Sequence, residues 1–166
     1  MIPVQSVRTM QPEIFKLADL TRWWNPDWEL QRAGFGGAGG GISGIRGNTY
    51  LDGDVLAIWP RDEVRGALLR RTMQVGEQTQ LTFDAGADPG AVWHLMVFAG
   101  NQKLVDSVID GGPLPSTGEA PERHWERIAL DLRPFQHQQV VLRLYDLVLV
   151  PHRYVGNSYW RHIEVH

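Results

Sequence analysis

Beyond residue 54, apolar and polar residues alternate along most of the chain, and turn-forming residues interrupt the alternation at short intervals. The runs DVLAIW (54–59), ALLRRTMQV (67–75), TQLTFDA (79–85), VWHLMVFA (92–99), KLVDSVI (103–109), WERIALDL (125–132), QVVLRLYDLVLV (139–150) and YWRHIEV (159–165) are each bounded by Gly, Pro, Asp or Asn. Eight short strands so spaced predict an all-β chain folded as an antiparallel β-sandwich. Successive strand residues point to opposite faces. Ile128, Leu130 and Leu132 therefore share one face, as do Val140, Leu142 and Leu144, while Arg127, Arg143 and Tyr145 point the other way. AGNQK (99–103) reads as a tight hairpin connection, because Gly100 and Asn101 tolerate the backbone such turns require. Only PEIFKLADL (12–20) has a helical pattern, with Pro12 near its start, and DWELQ ahead of residue 33 is strand-like.

Between these parts lies GFGGAGGGISG (34–44), which contains G-x-G-x-x-G twice, with Asp54 twenty residues after Gly34. In a dinucleotide site such glycines follow a strand and open a helix, whose N-terminus meets the pyrophosphate. Here they run into IRGNTYLDGDVLAIW, which is turn-rich and then strand-like, and no G-K-[S/T] follows. The tract is read as a connection. The expected organisation is one domain: an N-terminal segment over 1–33, helical or irregular, packing on the sandwich; a Gly-rich connection over 34–47; and the sandwich over 48–166.

Composition narrows the chemistry. The 166 residues are 43% apolar and 21% charged, and the net charge of -3 offers no attraction for nucleic acid or an anionic membrane. With no cysteine, disulfides, thiolate metal sites and cysteine nucleophiles drop out. Neither a run of 18 apolar residues nor a signal-like N-terminus is found. None of the six histidines falls in H-E-x-x-H, and there is no G-x-S-x-G elbow. On a regular strand His162, Glu164 and His166 share a face, but the two histidines stand roughly 13 Å apart, too far to chelate one ion. The acid pairs Asp52/Asp54, Asp62/Glu63 and Asp84/Asp88 read as turn acids, with Asp84 and Asp88 the calcium candidates, since hard oxygen ligands suit that ion. No other cofactor is expected, and the chain is read as non-catalytic.

Several spaced residues carry a resemblance. Trp93 and Leu95, then Trp125, Asp131 and Leu132, then Phe135, Gln139, Val140, Leu142 and Leu144, and finally Trp160 and Ile163 follow one another in an order similar to that of galactose-binding-like jelly rolls, which occur as non-catalytic carbohydrate-binding modules in large secreted bacterial proteins. The resemblance covers roughly residues 66 to 166. The sequence departs from the pattern at FQHQQ (135–139), where a Gly usually stands between the aromatic residue and Gln, and it has no recognisable N-terminal acidic calcium pair. The resemblance implies a jelly-roll β-sandwich, a carbohydrate ligand, neighbouring domains in a larger polypeptide and an extracellular or periplasmic location.

Seven tryptophans in this length either fill the core or serve a binding surface. Trp93, Trp125 and Trp160 lie inside strand patterns and are expected to be buried or half-buried. Trp59 ends a strand ahead of Pro60, Arg61 and Asp62. The loop VPHRYVGNSY (150–159) offers His152, Arg153, Tyr154 and Asn157, one ring among hydrogen-bonding groups, and Tyr50 has Asn48 and Asp52 as polar neighbours. A sugar ring needs such a flat apolar platform with polar side chains beside it. The expected ligand contacts are Trp59, His152, Arg153, Tyr154, Asn157 and Tyr50. Trp23, Trp24 and Trp28 form a separate cluster, expected to dock as a lid on the core or on a neighbouring domain. A protein-interaction or assembly domain is the rival reading, and a polysaccharide-degrading enzyme the third.

Overall fold

The computed structural model describes residues 22–32, 49–59, 66–78, 80–114, 122–148 and 156–166. The helix expected at 12–20, the Gly-rich connection at 34–47, and His152, Arg153 and Tyr154 lie outside the described residues.

Ten strands are described: β1 (Glu29–Arg32), β2 (Tyr50–Asp52), β3 (Val55–Ile58), β4 (Ala67–Gln74), β5 (Gln80–Ala87), β6 (Val92–Ala99), β7 (Gln102–Asp110), β8 (His124–Asp131), β9 (Gln139–Leu147) and β10 (Ser158–Val165). They form two antiparallel five-stranded sheets, in the orders β1-β4-β9-β6-β7 and β2-β3-β10-β5-β8. Leaving out β1 and β2, each sheet alternates early and late strands of the chain, the winding of a jelly roll. Each of the eight runs expected as strands contains one, though the last but one ends at Leu147 where the sequence extends it to residue 150, and the Gly100–Asn101 connection joins β6 directly to β7. DWELQ supplies β1, which pairs with β4 at the edge of the first sheet. The short β2 falls in the stretch that the sequence presents as turn-rich.

Alternation explains the core. In β9 every second residue from Val140 is buried, and Leu142 and Leu144 are fully so. Trp93 and Trp160 meet between the sheets with ring centroids 5.2 Å apart, and Phe83 stacks on Trp160 at 5.5 Å. Both indoles satisfy their N–H groups: Trp93 Nε1 donates to the Gly86 carbonyl at 2.9 Å, and Trp160 Nε1 to Ser158 Oγ at 2.8 Å. Ser158 in turn donates to the buried Asp146 carboxylate at 2.7 Å. Trp28 is buried in the same core, Trp24 packs against it half-buried, and Trp23 is exposed.

The departure at FQHQQ has a local explanation. Arg133–Phe135 form a 3₁₀ turn that buries Phe135, after which His137 takes the left-handed backbone that Gly adopts most easily, with φ of 64°. Its N–H donates to the Val75 carbonyl at 2.7 Å, fixing the turn against the end of β4.

Candidate binding face

One sheet departs from simple alternation. β5 is buried at every position from Leu81 to Ala87, although Thr82, Asp84 and Gly86 point away from the core. Its outer face is covered by a second layer of side chains, arranged in three rows by the strand register.

The middle row runs across the whole sheet. Tyr50 pairs with Ala57, Ala57 with Tyr159, Tyr159 with Gly86, and Gly86 with Trp125. Adjacent strands lie about 4.8 Å apart, so the row spans roughly 19 Å. Together with Val55 these side chains make a second small apolar cluster, separate from the core, with Tyr50 and Trp125 half-buried at its ends. Gly86 is a requirement of this packing: a Cβ there would come within 2.9 Å of Trp125 Cε3 and 3.0 Å of the His124 carbonyl oxygen. The indole occupies the space the glycine leaves.

Arginines lie over the rings. The Arg161 guanidinium stands 3.9 Å from the Trp125 ring centroid, and that of Arg123 stands 3.7 Å from the Tyr159 ring. Both are cation–π geometries. At the loop end of this face Asp88, one residue beyond β5, stands beside Arg123, one residue ahead of β8. Tyr159 donates its hydroxyl to Asp88 Oδ2 at 2.6 Å, and Arg123 Nε stands 3.8 Å from Asp88 Oδ1. Burial, then the hydrogen bond and the negative charge of Asp88, push the Tyr159 hydroxyl far above its ordinary range, so it stays a donor at any physiological pH. The Asn157 side-chain oxygen and Arg123 Nε are buried with no hydrogen-bond partner among the described residues.

The third row centres on Asp84. Its carboxylate accepts from Arg127 Nη1 and Arg161 Nε, each at 3.0 Å, and lies 3.1 Å from His162 Nδ1. Burial works against charge on Asp84, but the hydrogen bonds of Arg127 and Arg161, the Arg127 charge and the His162 contact together hold its carboxyl below the usual carboxylate range. The sign for stability follows. A carboxyl whose folded value is depressed contributes fully above the unfolded value of about 4, and the contribution is lost as pH falls through the folded value. The parent is expected to lose thermal stability more steeply than Asp84→Asn between about pH 5 and pH 2. Parallel melting profiles of the two would contradict this.

Asp84 is therefore no turn acid; it sits in mid-strand among cations. Asp84 lies in β5 and Asp88 one residue beyond its end, and each faces its own cationic partners. Among the described residues no group of three or more His, Asp or Glu side chains is placed to hold a metal.

Of the expected contacts, Tyr50 lies in the middle row, while Trp59 follows β3 and Asn157 precedes β10 by one residue, next to the paired Ile58 and Ser158; all three are half-buried. Trp59 is fixed by its backbone N–H, which donates to the buried Thr49 hydroxyl at 3.2 Å. The sequence reading did not pick out Trp125, Tyr159, Arg123, Arg161 or Asp84 as part of this face. Trp125 was within its reach, because it shares parity with Arg127, which alternation already points outward.

No protein-family model and no curated protein matches the sequence. Solved structures similar to it include the K1 cleaved adhesin domain of Lys-gingipain from Porphyromonas gingivalis W83, at 15% identity and TM-score 0.47, covering 84% of this chain and 82% of that one. The K3 cleaved adhesin domain of the same protein aligns at 12% identity and TM-score 0.48, over 66% and 71%. A structure described as CBM4 aligns at 16% identity and TM-score 0.47, over 87% and 89%. Likenesses this distant carry nothing about ligand or activity. Among the described residues no helix is long and apolar enough to cross a membrane.

Proposed function

We propose that this β-sandwich is a non-catalytic carbohydrate-binding domain, and that it takes its glycan on the outer face of the β2-β3-β10-β5-β8 sheet. The observation that carries the reading is an outer row with the half-buried rings Tyr50 and Trp125 at its ends, with the half-buried Trp59 and Asn157 just beyond the paired ends of β3 and β10. A pyranose offers a flat apolar side to a ring and hydroxyls to the polar groups around it. His152, Arg153 and Tyr154, which precede Asn157 in the chain, are proposed to complete the contact. The resemblance to galactose-binding-like modules supports the same reading; a place beside other domains in an exported polypeptide, where tethering makes weak binding effective, is part of the proposal.

Each ring that stacks on a sugar removes on the order of 50–100 Å² of apolar surface from water, worth about 1–2.5 kcal/mol. Trp59→Ala and Tyr50→Ala are each expected to weaken retention on a polysaccharide affinity gel about tenfold. Retention unchanged in both variants would remove this face from consideration.

The rival reading, assembly with a partner chain, is favoured by the exposure of Trp23, 48%, and of Leu114, 70%. Single exposed apolar residues are common on soluble proteins, however, and these two belong to no described patch. A concentration-independent monomer mass by light scattering would dispose of self-assembly.

A further inference from the structure

A separate pocket opens at the far end of the same sheet. Its volume is about 160 Å³, and its walls are Trp24, Asn25, Asp54, His162, Ile163 and Glu164. Three parts of the chain meet there: the helical turn at Arg22–Trp24, the connection between β2 and β3, and the bulge in β10. The register of β10 against β5 shifts between Arg161 and Glu164, and within the shift His162 holds a left-handed backbone, φ 55°. A non-glycine residue in that region is strained, and the strain here brings the imidazole between two carboxylates, 3.1 Å from Asp84 and 3.1 Å from Asp54.

The walls are fixed but not saturated. Trp24 Nε1 donates to the Asp54 main-chain oxygen at 2.9 Å, which locks the indole in place as an aromatic wall. His162 engages one oxygen of Asp54, and the Asp54 side chain remains 70% exposed. Glu164 lies next to it, exposed, with no hydrogen bond or ion pair among the described residues. The cations of the neighbouring row, Arg127 and Arg161, are turned to Asp84. The pocket thus combines an indole with two carboxylates, and its other polar ring, His162, is turned to Asp54 and Asp84. That donor set suits an ammonium group, which is drawn to carboxylates and to an indole face alike.

We propose that this pocket is a subsite for a single amino-sugar residue, its protonated amine held by Glu164 and Asp54 and its ring set against Trp24. The inference rests on the glycan-binding reading above. β10 links the two sites: from Asn157 to Glu164 the strand covers roughly 20 Å, so one oligosaccharide laid along it reaches both. The pocket is too small for more than one ring, since sites for larger ligands run to several hundred Å³.

The test is titration calorimetry at pH 6, where the amine of the probe is protonated. A fully deacetylated glucosamine tetramer is compared with its N-acetylated counterpart and with a cellotetraose control. We expect the glucosamine tetramer to bind about tenfold more tightly than the acetylated one, and Glu164→Gln to abolish that preference while cellotetraose binding is unchanged. Tyr50→Ala should weaken all three ligands alike. Equal affinity for the two glucosamine tetramers, or a preference that survives Glu164→Gln, would overturn the subsite and leave the glycan face standing. If no tetramer binds, the glycan reading fails, and glucosamine monosaccharide followed by NMR decides the pocket separately: shifts at the Trp24 indole N–H and the His162 ring keep it, and their absence overturns it. Equal Glu164-dependent binding of a lysine hexapeptide would overturn the assignment to a sugar.

Discussion

Trp160→Ala is expected to destabilise the protein by about 3–5 kcal/mol, a large share of the total stability of an ordinary domain. The indole is fully buried, lies between Phe83 and Trp93, and gives its N–H to Ser158. Removing it opens a cavity that ladder-bound strands on both sides cannot close, because β10 is held by β3 and β5 in fixed register. It also takes a donor from the chain that runs through Ser158 to Asp146. For a domain of this size the loss corresponds to a fall in Tm on the order of 10 °C. The urea midpoint should fall with the slope unchanged, since the surface exposed on unfolding is nearly the same. Trp160→Phe, which keeps most of the packing, should recover more than half. A Tm within about 2 °C of the parent for the alanine variant would mean that the two sheets do not close over this residue.

The second large effect is expected at Gly86→Val. This position lies outside the core, and an ordinary β-sheet surface would favour valine there. Here its side chain would collide with the Trp125 ring and with the His124 backbone, and the backbone contact cannot be relieved by a rotamer change. Two consequences follow together. Stability should drop by about 3 kcal/mol, the upper part of the range for overpacking. Glycan binding should drop at least tenfold, because Trp125 leaves its place and Arg161, stacked on that ring, loses its seat. Trp125→Ala separates the two contributions: alone it should cost a similar amount of binding, and combined with Gly86→Val it should restore only the stability lost to the ring clash, since the His124 backbone contact remains. Measured binding that is indifferent to Gly86→Val in a folded variant would show that the outer face takes no ligand.

The two faces of β5 show how far sequence pattern reaches. Leu81, Phe83, Ala85 and Ala87 announce a core face by alternation alone, and the structure buries all four. Thr82, Asp84 and Gly86 announce a solvent face by the same rule, yet this face is covered. Its partners come from far along the chain: Arg127 lies 43 residues from Asp84, Arg161 lies 77 away and His162 lies 78 away. No local pattern records such distances. The reading of Asp84 as a turn acid failed for this reason, while Tyr50, nominated from its own neighbourhood, does lie on this face.

His162 illustrates the same division more sharply. A regular strand would set it on one face with Glu164 and His166, and the spacing then forbids any shared ligand. The bulge breaks that regularity and turns the imidazole toward Asp54 and Asp84. Nothing in YWRHIEV signals a bulge, since it arises from pairing with β5 and from the carboxylates that wait there.

Sequence alone determined the class of fold, the location of the eight main strands and, for β8 and β9, which face closes the core. It could do so because alternation is a local consequence of the strand's two-residue period, and burial of apolar surface dominates folding. Only the tertiary structure decided that one outer face carries a second, ring-and-arginine layer with a pocket at its end. That layer depends on register between strands brought together from distant parts of the chain, and register is a property of the assembled sheets.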